Sequence, residues 1–124
     1  MDVRKLDTIQ TRNKLNNVFA QGDAGAGGER SEYAVMSQCA GDKPTCVAVI
    51  QFQSGPRGAA GSKPGILNED ALEMVRDRLI AFQDGIFACD ENAMALQHIT
   101  TALLYLNMRA ERRAERGVLG TMQA

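Results

Sequence analysis

Groups that carry out covalent chemistry are scarce in this chain. It has one histidine, His98, and no G-x-S-x-G motif, Walker loop or paired-carboxylate pattern. Hydrolysis through an activated nucleophile, a bound metal or an acid and base pair therefore has little to work with. The three cysteines, Cys39, Cys46 and Cys89, form no C-x-x-C pair, and an odd number leaves at least one unpaired within a monomer. They read as reduced, small hydrophobic residues, although Cys39 and Cys46 are spaced to face one another across a hairpin. Neither a metal nor a cofactor is expected. No apolar run approaches the roughly 20 residues that cross a bilayer, and the first residues carry acids where a signal peptide needs an apolar stretch. The expected location is the cytoplasm in which the chain is made. Fourteen Lys and Arg against fifteen Asp and Glu leave a net charge of -1, so the overall field draws the molecule to neither nucleic acid nor an acidic membrane. Any anion it binds must be held locally.

A length of 124 residues suits a single domain. The expected class is α+β: a small N-terminal antiparallel β portion over residues 1–66, an antiparallel two-helix hairpin over 67–117, and a tail over 118–124. Residues 1–20 show no decisive period and are left unassigned. Gly22 to Gly28 is a glycine-rich loop, but no clear strand leads into it and no helical pattern follows, which makes it a weak dinucleotide fingerprint. Residues 32–39 and 45–53 read as strands, with Asp42-Lys43-Pro44 as the turn between them. A Gly, Ala and Pro-rich loop follows. The period then changes. Asn68 is the expected N-cap, and Leu72, Val75, Leu79 and Phe82 mark one helical face. Gly85 stops this helix. A second starts near Asp90, carries its apolar face through Leu96, Ile99, Leu103 and Leu106, and stops at Gly117. The short connection folds the two back on each other. Regular apolar positions in so small a hairpin imply that helices from other copies complete the core.

The longer helix ends in Arg109, Arg112, Arg113 and Arg116, which form like-charge pairs four residues apart. Such pairs destabilise a helix by about 0.2–0.5 kcal/mol, and an incoming anion would reverse the sign. Guanidinium forks one turn apart suit a pyrophosphate. They also suit a solvated helix end, where the dipole favours cations and Glu111 and Glu115 blunt the charge. Phe82 either packs or offers a face to a purine. Asn92 either caps its helix or meets the edge of a base. Arg57 is either a surface residue or a movable cover over an anion.

Several runs in the second half are distinctive: Ile50-Gln-Phe-Gln-Ser-Gly-Pro56, Asp77-Arg78-Leu79 with Phe82-Gln83, Phe87-Ala-Cys89 with Glu91-Asn92, and Arg116-Gly-Val-Leu-Gly-Thr121. Together with Gly25-Ala-Gly27-Gly28 ahead of Tyr33, they resemble the first-described Thoeris anti-defence family, small phage and prophage proteins. The resemblance covers roughly residues 20–121. It implies a sponge in the host bacterial cytoplasm that sequesters cyclic ADP-ribose isomers, the alarm signals of the Thoeris system, without cleaving them. It further implies assembly through the helices into a dimer or hexamer and, for part of the family, capture of the cyclic di- and trinucleotides of the CBASS system at separate sites. By the same resemblance Phe82 stacks on adenine, Asn92 makes polar contacts beside it, Arg109 and Arg113 grip the pyrophosphate, and Arg57 reaches in from its loop. Gly120 and Thr121 would serve the second nucleotide site. The rival functions are a phosphodiesterase acting on the same signals and a small DNA-binding regulator. The scarcity of catalytic groups weighs against the first and the net charge against the second.

Overall fold

The computed structural model describes residues 3–38 and 43–121. The chain divides into two compact units, Met1–Ile66 and Leu67–Ala124. The first is an antiparallel sheet and the second a pair of helices, so the fold is α+β.

The sheet is a four-stranded meander in chain order: β1 (Val3–Lys5), β2 (Asn16–Gln21), β3 (Glu32–Ser37) and β4 (Cys46–Gln51). The first two strands occupy the stretch that the sequence left unassigned. Within β2 only Val18, Phe19 and Ala20 are apolar, yet the strand pairs with β3 along its whole length, from Asn16 opposite Ser37 to Gln21 opposite Glu32. The neighbouring strand supplies what the local pattern does not. Strand β3 is two residues shorter than read and β4 three. Cys39 and Asp42, on which the facing cysteines and the turn depended, lie outside the described residues. Ala20 and Ala34 are the buried small residues of the central strands. Tyr33 meets Phe52 edge to face, with centroids 5.6 Å apart.

The glycine-rich loop corrects one reading, since β2 runs directly into it. The next element is β3 and not a helix, and the Gly27 N–H donates to Glu29 Oε2 at 3.0 Å. The chain's own carboxylate takes the position where a phosphate would meet backbone amides. After β4 the chain folds back on itself through paired backbone bonds between Ser54 and Lys63 of 2.9 and 2.8 Å. Gly65 then passes so close to the end of β4 that a methyl group would meet the Phe52 carbonyl carbon at 2.5 Å.

The second unit consists of α1 (Asn68–Gln83) and α2 (Asp90–Glu115). Leu67, not Asn68, is the N-cap of α1, and its N–H donates to Asp70 Oδ2 at 2.8 Å. The acid two residues beyond Asn68 thus anchors the start, so Asn68 enters the helix proper. The helices pack along half-buried Leu72 and Leu79 from α1 and Leu96, Ile99 and Leu103 from α2. Arg76 Nε donates across the seam to Thr100 Oγ1 at 3.2 Å. Val75, expected in the same stripe, is 44% exposed. No residue of α1 is buried, and the only one in α2 is Arg113. Met94, Leu104, Tyr105 and Met108 of α2 all stand exposed. No helix among the described residues is long and apolar enough to cross a membrane.

Candidate functional site

Residues 84–89 join the helices, and the side chains around them are held by a linked set of contacts. Phe82 in the last turn of α1 meets Phe87 of the connection at 6.0 Å between centroids and 81° between planes. Edge-to-face geometry of this kind matches the quadrupoles of the two rings. The guanidinium carbon of Arg78, one turn before Phe82, lies 5.3 Å from the Phe82 centroid, within cation–π range. Gln83 Oε1 accepts the Cys89 N–H at 3.0 Å. Cys89 is the N-cap of α2, its Sγ receiving the Asn92 N–H at 3.5 Å.

Asn92 itself does not cap. Its Nδ2 donates to the Phe87 carbonyl at 3.2 Å, which ties the first turn of α2 to the loop that carries the second ring. Phe82 and Asn92, singled out from the sequence, are therefore joined through Phe87, which was not. Arg78 was also missed, although its spacing of four residues before Phe82 places the two on one helical face. Phe87 is 65% exposed. A half-buried ring, an exposed ring, an amide and a guanidinium are the groups that stack on and hydrogen-bond to a flat heterocycle.

The arginines lie elsewhere. Asn92 and Arg109 belong to one continuous helix, so about 25 Å of helix axis separates them at 1.5 Å per residue. Among the described residues, no hydrogen bond or ion pair engages the exposed Arg109 side chain. Arg113 differs. It is 7% exposed, and its Nη2 donates to the carbonyls of Val118 and Thr121, each at 3.0 Å. Gly120 and Thr121 lie in the turn this arginine holds. Gly120 has a φ of +80°, and the Thr121 hydroxyl donates to the Val118 carbonyl at 2.6 Å.

Arg57 belongs to the sheet unit and is anchored there. Its Nε and Nη2 donate to Gln53 Oε1 at 3.2 and 3.0 Å, and Nη2 also reaches the Gly65 carbonyl at 3.1 Å. The guanidinium thus braces the base of its loop while remaining exposed. His98 is an exposed residue of α2.

A paired helix tip of this kind, following a strand and a braced loop, defines a class. Residues 45–111 match the model of the Acb2/Tad1 hairpin domain, and the chain belongs to that family. It is 45% identical over 75 residues to Thoeris anti-defense 1 of Bacillus phage SBSphiJ7. The alignment covers 60% of this chain and 52% of that protein, so the chain spans about half the length of the relative it matches. The family match takes in Arg57, Phe82, Asn92 and Arg109, and ends before Arg113, Gly120 and Thr121.

Proposed function

We propose that this chain is a phage anti-defence sponge that binds cyclic ADP-ribose isomers in the host cytoplasm and holds them without cleavage, so that the Thoeris effector is not triggered. The observation that carries the reading is the cluster at the hairpin tip, in a chain whose family includes a Thoeris anti-defence protein. Phe82 supplies the face on which adenine stacks, and Asn92 meets the polar edge beside it. Arg109 supplies charge for the pyrophosphate, and Arg57 adds a donor from the loop. Such groups bind and orient a ligand; none of them needs to exchange a proton with it. Cyclic di- and trinucleotides of the CBASS system would be held separately, near Gly120 and Thr121.

A cyclic dinucleotide-sized ligand cannot bridge about 25 Å. Phe82 and Asn92 of one copy must therefore share a ligand with Arg109 of a second copy, its α2 running in the opposite direction. The uncovered Leu104, Tyr105 and Met108 supply the apolar surface for such a pairing, and two-fold symmetry would build two equal sites per dimer. A hexamer would combine three such pairs. Closing the ligand between copies excludes water and strengthens each contact to its phosphates.

The test is capture followed by release. The purified protein is incubated with a cyclic ADP-ribose isomer, freed of unbound ligand, heated to denaturation, and the supernatant analysed by mass spectrometry. Intact ligand is the expected result. A cleavage product, or no captured nucleotide at all, overturns the reading.

A further inference from the structure

The C-terminal end of α2 is built as two successive turns locked by one arginine. Val118 N–H donates to the Arg113 carbonyl at 3.0 Å and Gly117 N–H to the Ala114 carbonyl at 3.1 Å, with Gly117 at φ +74°. This is the double bond pattern of a Schellman stop, in which the residue after the left-handed glycine bonds back to the carbonyl five positions earlier. A second turn comes at once, closed by the Thr121 N–H on the Val118 carbonyl at 3.1 Å, with Gly120 at φ +80° in its third position. At a Schellman stop an apolar side chain commonly covers Val118 from the position that Arg113 occupies here. Both residues are buried nonetheless, Val118 at 8% and Arg113 at 7% exposure.

We infer that Arg113 is a positioning residue: its Nη2 clasps the carbonyls of Val118 and Thr121 and so sets the turn that carries Gly120 and Thr121, serving any ligand by way of that turn. A single nitrogen makes both bonds. The two bonds use one end of the guanidinium fork, so a lysine in its place can tell the clasp from a direct grip on phosphate. A lysine ammonium can reproduce two bonds that share one donor nitrogen, whereas it cannot reproduce the planar two-pronged contact of a guanidinium with a pyrophosphate.

Two variants of the full chain test this by amide hydrogen exchange at Val118 and Thr121 without ligand, and by capture of a cyclic ADP-ribose isomer. In Arg113→Met, exchange at both amides should accelerate at least about tenfold, while Arg113→Lys should stay within about threefold of the parent in exchange and in capture. Unchanged exchange in Arg113→Met overturns the clasp. Capture lost in Arg113→Lys with its exchange preserved also overturns it, because the fork would then act on the ligand itself. The inference goes beyond the sponge reading and stands apart from it. The exchange arm needs no ligand, and failure of the parent chain to capture nucleotide would count against that reading alone.

Discussion

The sheet unit and the helical hairpin are stabilised in different ways. The sheet unit has a small core of its own, although Val47 and Val49 of β4 stay exposed: central alanines are buried, Tyr33 and Phe52 lock edge to face, and Gly65 packs against the β4 end with no room for a methyl group. The hairpin leaves Leu104, Tyr105 and Met108 in solvent and buries just one described side chain in its long helix, a charged one. Exposed aliphatic and aromatic area of that kind is stabilising only when a second surface covers it, at about 25 cal/mol per Å². The difference teaches that the sheet buries apolar side chains within a single copy. The two helices, which carry Phe82 and Arg109, bury no apolar side chain in a single copy.

The sharpest way to break this contrast is to charge the open face. Leu104→Asp should convert an oligomer to monomers, since an unpaired carboxylate buried between helices costs several kcal/mol, on the order of 3–5. Light scattering after gel filtration reads the mass directly, and an unchanged assembly would mean that this face is not the contact. Next, Arg109→Ala should weaken capture of a cyclic ADP-ribose isomer by about 1.5–3 kcal/mol, the range for a hydrogen bond to a charged group, without changing assembly. Calorimetric titration checks it. In the sheet unit, Gly65→Ala should destabilise the fold by about 1–3 kcal/mol through overpacking. Urea denaturation followed by near-ultraviolet dichroism of Tyr33 would register it, and an unaltered midpoint would show that the loop moves aside freely. The smallest effect belongs to Asp70→Ala, which removes the acceptor for the Leu67 N–H and should cost α1 about 0.5–1 kcal/mol. Thermal melts of the two chains compare it.

Much of the helical unit was legible because its signals are local. Apolar steps of three and four residues marked both helices, and Gly117 marked the stop that the Schellman bonds now explain. The N-cap was misplaced by one residue because Asp70, and not Asn68, supplies the oxygen. Strands β1 and β2 were illegible for the opposite reason. Asn16-Asn17 and Gln21 have no strand preference of their own, and β3 imposes theirs by pairing.

For the site, a ring, an amide and the arginines could be picked out by residue type and spacing, and the resemblance narrowed the arginines to Arg57, Arg109 and Arg113. What residue type could not convey is which donors are already engaged. Arg109 and Arg113 look equivalent in sequence, yet one side chain is exposed and the other folds back onto two carbonyls eight or fewer residues away. Arg57 likewise braces Gln53 and Gly65, contacts that depend on the loop's return to β4. Phe87 was overlooked because a ring in a short connection has no period to reveal it.

The most direct test of the shared site mixes two defective chains. Phe82→Ala loses the stacking face, and Arg109→Ala loses the phosphate donor, so at ligand concentrations below their weakened dissociation constants neither should capture a cyclic ADP-ribose isomer alone. If each site draws its ring from one copy and its arginine from the other, an equal mixture that exchanges subunits recovers about one quarter of the parent's binding sites, because half of the dimers are mixed and each of those holds one intact site. A mixture that exchanges subunits and recovers no binding would contradict the account.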